Sequence, residues 1–485
     1  MLKNAIRIRT GGFMKTVEIK VEQGILRGEE TESKLIFKGV PYAKPPIGNL
    51  RFSSPQAPDR WLGVRDALEY SKICPQPKAA NPFYRKEFYN YEQYPYPEMS
   101  EDCLYLNIWA PNRKSEHGYP VAIWLHGGAF DHGYGNEVPF DGEAFVQNDV
   151  ILVTINYRVG VFGFFAHPQL KEEDPAHCVS NYGILDQVFA IRWIRKNIEA
   201  FGGDPDNITL FGQSAGAISV QTLISSPTTR GMIAKAIIQS GAGVDNPIFK
   251  HKTVEEAYET GEEIMKLVGA KNIQALRQIP AQKLVDILPK LSKHDNRLLF
   301  GPVVDGFVLE DTLDELAKHG DVQDIPYIIG ANGNDFGLGV DEPMRKSKYY
   351  QSMIDFTNLR NEYHGKPTYL YLFNRKLPSD DAGAFHSAEL WYMFGTLSRC
   401  WREMEVRDYK ISDEMVSAWT NFMKCAEPGK VGNLIRKKIV LFVCFYKKKE
   451  HDCTDLQKLD QESNKWRSVQ MKCSFLVTFF SFWIE

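Results

Sequence analysis

The length, composition and charge of the chain exclude several classes of protein. Its 485 residues can bury a large core, either as one large α/β domain or as two or three smaller domains. Hydrophobic residues make up 43 % and charged residues 25 % of the sequence, which is the composition of an ordinary globular protein. A net charge of −3 gives no electrostatic reason to expect nucleic acid as a partner. We therefore expect an enzyme or a binding protein.

The N-terminus and the apolar segments bear on the cellular location of the protein, and the cysteine and histidine motifs bear on metal binding. Residues 1–13 form a basic N-terminal extension that lacks the continuous apolar stretch of a secretory signal. No segment reaches the roughly 18 apolar residues that a membrane-spanning helix needs. These features predict a cytoplasmic protein with no membrane span. Because the sequence contains no CxxC pair and no HExxH motif, we expect neither a metal nor a cofactor.

Hydrophobic periodicity predicts an alternation of strands and helices. Strand-like alternation begins at Thr16, and from Val121 onward β-rich apolar runs alternate with runs of helical spacing. A helix is predicted after the strand at 150–158, and Gly202 and Gly203 end it. This order is typical of a largely parallel sheet covered by helices. The predicted strands lie at 121–128, 150–158, 207–212, 234–241, 325–335 and 367–374.

The same periodicity predicts the domain organisation. Residues 250–320 are predicted to be mostly helical, and no repeat or long linker divides the body of the chain. We therefore predict one catalytic domain over residues 14–429. Residues 430–485 form an atypical C-terminal tail, peripheral or disordered, whose weak periodicity fits no strand of the sheet. A surface tail, a peripheral helix and a misassembled sequence all stay open as explanations.

A serine between small residues follows one of the predicted strands. In the sequence GQSAG, Ser214 comes after the strand at 207–212 and before a run of helical spacing. Where a strand turns sharply into a helix, a serine on the turn is exposed as a nucleophile and needs small neighbours. A serine that merely caps the helix is the alternative interpretation. The strand–turn–helix context favours the nucleophile.

A second glycine-rich turn, HGGAF, follows the strand that begins at Val121. A serine hydroxyl needs a base, and the oxyanion formed by its attack needs hydrogen-bond donors. Together with the GQSAG turn, the N–H groups of Gly128, Ala129 and Ala215 are predicted to form an oxyanion hole. Taken alone, HGGAF is also compatible with a simple turn beside a packed histidine.

Longer segments point to a known family. They are SEDCLYLNIWAP, HGGAF, INYRVGVFGF, GILDQVFAIRWIRKNIEAFGGDPDNITLFGQSAG and GPVVDG. From about residue 17 to 427 the chain resembles the type-B carboxylesterase family, the cholinesterase-related branch of the α/β hydrolases. The resemblance implies an α/β hydrolase fold, with a mostly parallel central sheet flanked by helices. It also implies a serine esterase that uses Ser, an acidic residue and His in that chain order.

The resemblance implies three catalytic residues. Ser214 matches the nucleophile of the family, IGANGND places Asp335 at the position of the acid, and GAFHSAELWYMF places His386 at the histidine. We expect neutral His386 to accept the proton of Ser214 while Asp335 orients the imidazole. The expected reaction is hydrolysis of a small-molecule carboxylic ester through an acyl-enzyme. The oligomeric state is not indicated.

The sequence departs from the family beside the site. Gln213 precedes the serine where many relatives carry Glu, which removes a negative charge. The acid is Asp335, one methylene shorter than Glu, so its loop must lie closer to His386. The interval between these two residues is short for the family, so we expect helices of the substrate-site wall to be missing.

Alternatives for individual residues stay open. Asp305, Asp341 and Glu389 compete with Asp335 for the role of the acid, although Asp335 alone follows a strand in the expected position. The pair Cys74 and Cys103 matches a disulfide of secreted relatives, whereas a cytoplasmic location favours free thiols. Aromatic residues near the motifs either line a substrate pocket or pack in the core; they are Phe130, Trp391, Tyr392 and Phe394.

Two rival functions are also carried forward. A non-catalytic, cholinesterase-like binding scaffold is one, although such scaffolds commonly lack a triad member and this chain has a candidate for each. A lipase or an amidase using the same residues is the other. Nothing in the sequence separates the ester from the amide substrate, or fixes the length of the acyl chain.

Overall fold

The computed structural model describes most of the chain. The described residues are 15–79, 81–89, 91–174, 178–291, 298–338, 343–363, 365–429, 435–437 and 440–444. The predicted N-terminal extension and most of the predicted C-terminal tail lie outside these residues. Within them, no helix is both long enough and apolar enough to cross a membrane.

A single mixed sheet runs through the described part of the chain. Its order is β1-β2-β3-β5-β7-β6-β8-β9-β10-β11-β13-β12, with β4 beside β2. In the order β7-β6-β8-β9-β10-β11-β13 neighbouring strands pair in parallel, and β4 also pairs in parallel with β2. Antiparallel pairing joins β1, β2, β3, β5 and β7 in that order, and joins β12 to β13. The strands are Thr16–Val21 (β1), Gly24–Glu30 (β2), Lys34–Pro41 (β3), Val64–Asp66 (β4), Tyr105–Pro111 (β5), Tyr119–Leu125 (β6), Ile151–Ile155 (β7), Gly203–Gln213 (β8), Lys235–Gln239 (β9), Tyr327–Asn332 (β10), Thr368–Phe373 (β11), Ile435–Lys437 (β12) and Val440–Cys444 (β13).

Side-chain pattern explains the place of each strand. Every residue of β7, β9 and β10 is buried, as expected for parallel strands covered by helices on both faces. Strand β1 instead alternates exposed and half-buried residues, which suits a strand at the edge of the sheet. Hydrophobic periodicity therefore predicts both the strands and their depth.

Helices cover both faces of this sheet. The helix predicted between β7 and β8 spans Tyr182–Asn197 and continues as a 3₁₀ turn to Phe201, after which Gly202 adopts φ 84°. The α-helices of the described residues are Pro82–Tyr84, Glu143–Gln147, Gly160–Phe164, Pro168–Glu173, Tyr182–Asn197, Ala215–Ser225, Val254–Val268, Ile273–Arg277, Ala281–Asp286, Leu313–Lys318, Lys348–Tyr363, Leu390–Met393 and Val406–Cys425.

Two details differ from the sequence-based expectation. The strand predicted at 150–158 ends at Ile155, and beyond its end Arg158 binds the buried Asp186 through its backbone N–H (3.0 Å) and its guanidinium (2.7 and 2.8 Å). Strands β12 and β13 lie within the segment that the sequence fits to no strand, and β13 pairs in parallel with β11.

The fold gathers the loops that carry the sequence motifs. The carboxyl ends of neighbouring parallel strands lie at one edge of a sheet, which is where α/β proteins place their ligand sites. Strand β6 leads into HGGAF, β8 into Ser214, β10 into the loop of Asp335, and β11 precedes the loop of His386. Pairing of Leu125 with Gly212 sets HGGAF and the serine turn at the same level.

Candidate active site

Ser214 stands on the sharp turn between β8 and the helix Ala215–Ser225. Its backbone has φ 58° and ψ −126°, a strained conformation for a residue with a side chain. The N–H of Ser214 donates to the carbonyl of Gln239 at 2.8 Å, and its own carbonyl accepts from the N–H of Ala217 at 2.9 Å. Ser214 is only half-buried. The turn therefore holds the hydroxyl at the edge of the sheet, open to a ligand.

Glycines are sterically required around this turn. A Cβ atom on Gly216 would lie 2.0 Å from the carbonyl oxygen of Leu125, and one on Gly212 would lie 2.5 Å from that of Gly216. A Cβ atom on Gly241 would lie 2.1 Å from the carbonyl oxygen of Ser214. The small residues of GQSAG are therefore needed for close approach of backbone to backbone.

Substitution of Gly216 tests this packing. Gly216→Ala should destabilise the fold by about 1–3 kcal/mol, because the added methyl group meets rigid backbone. The resulting shift of Ser214 should lower kcat by about 100-fold. Thermal unfolding and steady-state kinetics measure both effects. Gly365→Ala is the matched control, since a Cβ atom there meets nothing within 4 Å. Wild-type Tm and turnover in Gly216→Ala would contradict the steric role.

The loop after β6 brings N–H groups beside the nucleophile. Gly128 and Ala129 have φ values of 104° and 54°, so the chain curls at this point. A Cβ atom on Gly127 would lie 3.1 Å from the Cβ of Ser214, which places the loop against the serine turn. In the described part of the chain, the N–H groups of Gly128, Ala129 and Ala215 donate no hydrogen bond. Such free donors are what a developing oxyanion requires.

A buried carboxyl group, Glu137, supports the far end of the same loop. Its Oε1 accepts hydrogen bonds from the N–H of Tyr134 (3.1 Å) and from the hydroxyl of Tyr89 (3.3 Å). Burial raises the pKa of Glu137 to about 7, although these hydrogen bonds and nearby His132 act in the opposite direction. The carboxyl group is therefore protonated up to nearly neutral pH.

The raised pKa predicts a pH-dependent stability. The stability that protonated Glu137 contributes is complete below about pH 4.3, the pKa of an unfolded Glu. It is lost as the pH rises through about 7, the pKa in the folded protein. Glu137→Gln keeps the acceptor oxygen without the ionisation, so at pH 8 it should be more stable than wild type by at most about 4 kcal/mol.

Urea unfolding at pH 5 and pH 8 checks this prediction. The difference between Glu137→Gln and wild type should grow from pH 5 to pH 8. Glu32→Gln, at an exposed position, is the control and should show no such growth. Equal pH dependence in wild type and Glu137→Gln would show that this carboxyl group ionises as it does in the unfolded chain.

The side chains of Asp335 and His386 contact each other. Nδ1 of His386 lies 2.5 Å from Oδ1 of Asp335, whose other oxygen accepts the N–H of Asn332 at 3.0 Å. Asp335 is fully buried and His386 is 8 % exposed. A carboxylate at Nδ1 selects the tautomer that carries its proton there, which leaves Nε2 free to accept a proton. The pair thus has the arrangement of an oriented base.

Gln213 connects this pair to the serine turn. Its side-chain nitrogen lies 3.2 Å from Nε2 of His386, so the imidazole contacts the residue that directly precedes Ser214. Among the described residues, no hydrogen bond joins the hydroxyl of Ser214 to His386. Catalytic hydrogen bonds are often long in enzymes without substrate and tighten in the reacting complex.

Comparison with known proteins identifies the family of this chain. The chain matches the carboxylesterase family over residues 15–365 and 339–475. The chain belongs to this family. It is 32 % identical over 462 residues to para-nitrobenzyl esterase of Bacillus subtilis (strain 168), covering 85 % of this chain and 90 % of the relative. It is 38 % identical over 319 residues to fumonisin B1 esterase of Sphingopyxis macrogoltabida, covering 65 % of this chain and 55 % of the relative.

Solved structures agree with that membership. A thermophilic PNB esterase is similar with a TM-score of 0.77 and 29 % identity, covering 91 % of this chain and 99 % of the other. The predicted α/β hydrolase fold and the predicted serine esterase class are therefore confirmed, and the non-catalytic scaffold is not favoured. The family match also reaches residue 475, beyond the predicted limit of the likeness at 427.

The competing acids of this carboxylesterase bind groups other than His386. Oδ1 of Asp305 accepts the N–H groups of residues 307–309 and shapes that turn. Glu389 is fully buried and accepts from the side chains of Asn332 (2.5 Å) and Gln239 (3.3 Å). Burial and the nearby charge of Asp335 raise the pKa of Glu389 to about 7.

Asp341, the third competitor, lies outside the described residues. Of the two competitors that the structure describes, neither makes a hydrogen bond to His386.

The structure also shows the surroundings of the aromatic residues and cysteines whose roles the sequence left undecided. Phe130, Trp391, Tyr392 and Phe394 are all buried in hydrophobic clusters, so core packing rather than a pocket accounts for them. Cys74 and Cys103 are buried free thiols.

Sequence analysis missed one residue of the site. Phe336 directly follows Asp335, is 41 % exposed, and places its ring 3.8 Å from that of His386, centroid to centroid. The signal for it was present in the sequence NDFG, as a large aromatic residue next to the candidate acid.

Proposed function

We propose that Ser214, His386 and Asp335 hydrolyse carboxylic esters of small molecules through an acyl-enzyme. The observation that carries the proposal is the 2.5 Å contact between His386 Nδ1 and the buried carboxylate of Asp335. The same imidazole contacts Gln213, the residue before the strained Ser214. Family membership supports it independently. A buried carboxylate on the imidazole has little use in a binding scaffold.

The acylation step uses each group once. Oγ of Ser214 attacks the carbonyl carbon of the ester while its proton passes to Nε2 of His386. The carbonyl oxygen becomes an oxyanion, for which the free N–H groups of Gly128, Ala129 and Ala215 are the donors. When the bond between the carbonyl carbon and the alcohol oxygen breaks, the imidazolium returns its proton to the departing alcohol. The negative charge of Asp335 stabilises the imidazolium without accepting the proton.

Water completes the cycle on the same groups. His386 accepts one proton of a water molecule as its oxygen attacks the acyl carbon, and a second oxyanion forms in the same hole. Breaking of the bond to Ser214 Oγ returns the proton to the serine and releases the carboxylic acid. No step of this cycle needs a metal or a redox cofactor.

The substrate class follows from the chemistry and from the names of relatives. Relatives of this chain include a para-nitrobenzyl esterase, a fumonisin B1 esterase and a human cocaine esterase. We infer that this chain also takes small-molecule esters and that nucleic acid is not a partner. Lipase and amidase activity on the same residues is the second candidate function. The cytoplasmic location stays a prediction from the sequence.

Covalent labelling followed by an ester panel tests the proposal. A fluorophosphonate should modify Ser214 alone, and the protein should hydrolyse p-nitrophenyl esters of short acyl chains. Matched amides should turn over far more slowly, because amines leave less readily than alcohols. A folded protein that is neither labelled nor active on any ester would show a binding scaffold. Faster turnover of the amides or of long-chain emulsified esters would favour the second candidate.

A further inference from the structure

Phe336 occupies an unfavourable backbone conformation directly beside the candidate acid. Its φ and ψ are 49° and 25°, in the left-handed region, where a large side chain is a rare outlier. Such strain persists only where the surrounding structure requires it, and it concentrates at functional sites. Gly337 follows with φ 75°, so the chain turns back at once after the ring is placed.

The ring of Phe336 lies on one face of the imidazole of His386. The two ring centroids are 3.8 Å apart and the planes are inclined by 31°. Tyr349, buried on the helix Lys348–Tyr363, contacts the ring of Phe336 edge-on at 5.6 Å and supports it from the side. Phe336 is thus held in place while 41 % of it remains exposed.

The amide of Gln213 lies on the opposite face. Its nitrogen is 3.2 Å from Nε2 and 3.4 Å from Nδ1 of His386. Near-equal distances to both ring nitrogens place the amide above the ring, because an atom in the ring plane at these distances would overlap the carbons beside them. Phe336 already occupies one face, so Gln213 takes the other.

These contacts constrain two different properties of the imidazole, the position of Nδ1 and the plane of the ring. Asp335 fixes the position of Nδ1 but leaves the ring free to pivot about that contact. Phe336 and Gln213 lie on the two faces of the ring and fix its plane. An aromatic face also attracts the positive charge that the imidazole gains during the reaction.

We propose that Phe336 is a positioning residue of the esterase reaction, which clamps the imidazole of His386 against the amide of Gln213. The proposal rests on the proposed function of His386 as the base. Misplacement of a catalytic group by about 1 Å can lower the rate by about 100-fold. Loss of the clamp should therefore act on kcat and leave the binding of a small ester nearly unchanged.

Three substitutions of Phe336 separate its ring from its backbone strain. Phe336→Gly removes both and should lower kcat for p-nitrophenyl acetate by about 10- to 100-fold, with KM within about threefold of wild type. Phe336→Tyr keeps the aromatic face and should restore kcat to within about threefold. Phe336→Leu keeps bulk without the aromatic face and should fall between the two.

Relief of strain is controlled at a second position. Ala426 also has a positive φ, 64°, at the end of the helix Val406–Cys425. Ala426→Gly should raise Tm, because glycine adopts this conformation without strain, and it shares this relief of strain with Phe336→Gly. It should leave kcat unchanged, so a loss seen only at Phe336 belongs to the ring.

The outcomes distinguish this proposal from the proposed function itself. If wild type is neither labelled by a fluorophosphonate nor active on p-nitrophenyl acetate, the proposed function is wrong, and the clamp, which rests on it, is overturned with it. If wild type is labelled and Phe336→Gly keeps its kcat, the clamp is wrong while the esterase stands. A rise in KM with unchanged kcat would make Phe336 a substrate contact, and an equal loss in Phe336→Tyr would also overturn the clamp. Should Phe336→Gly fail to fold, the comparison of Phe336→Leu with Phe336→Tyr decides.

Discussion

Replacement of Ser214 by alanine should lower kcat for ester hydrolysis by roughly 10⁶-fold. The serine forms the covalent bond to the acyl group, so no neighbouring group can substitute for it. His386→Ala should cost about as much, and the double variant should lose no more than either alone, because the groups act as a unit. Stopped-flow and long-time assays with a p-nitrophenyl ester cover the range of rates.

A control substitution and a labelling experiment test whether the loss of turnover is specific to Ser214. Ser225→Ala is the matched control, since Ser225 lies on the helix that follows Ser214 and its hydroxyl finds no partner among the described residues. Ser225→Ala should keep wild-type turnover. Mass spectrometry after fluorophosphonate treatment should place the adduct on Ser214. An adduct on any other serine would show that the nucleophile has been wrongly assigned.

Replacement of Asp335 by asparagine should lower kcat by about 10⁴-fold while the fold remains. Asparagine has nearly the same shape and can still accept the N–H of Asn332, which Asp335 binds at 3.0 Å. It cannot supply the negative charge at Nδ1 of His386, and its amide favours the wrong tautomer of the imidazole. Asp335→Glu should be milder, because the carboxylate is kept and only the longer side chain must repack.

The other described acids near the site provide controls for this substitution. Glu389→Gln and Asp305→Asn should each keep kcat within about tenfold of wild type. Glu389 binds Asn332 and Gln239, and Asp305 binds backbone N–H groups of its own turn. Near-normal turnover in Asp335→Asn, with the loss in either control, would move the role of the acid to that residue.

Local features of the site could be predicted from the sequence. Continuous apolar runs predicted β6, β7 and β9, because a strand covered on both faces must be apolar throughout. The glycines of GQSAG predicted a tight turn at Ser214, because only glycine allows backbone groups to approach as closely as Gly216 and Leu125 do. Both inferences depend on side-chain size and polarity within a few residues of the chain.

Other features depended on contacts between distant residues. Beyond the end of β7 at Ile155, Arg158 pairs with the buried Asp186, a contact that no local pattern predicts. The place of β13 between β11 and β12 escaped prediction because it depends on pairing with β11, which lies far from β13 in the sequence.

The sequence by itself determined the serine turn, the glycine-rich loop and the strands that support them. Tertiary structure alone decided which acid meets His386, and that Gln213 and Phe336 enclose its ring. The physical reason is the range of the interactions. Periodicity and residue size record the conformation and burial of each segment. Contacts between side chains on different strands depend on register and packing, which arise only when the whole sheet has formed.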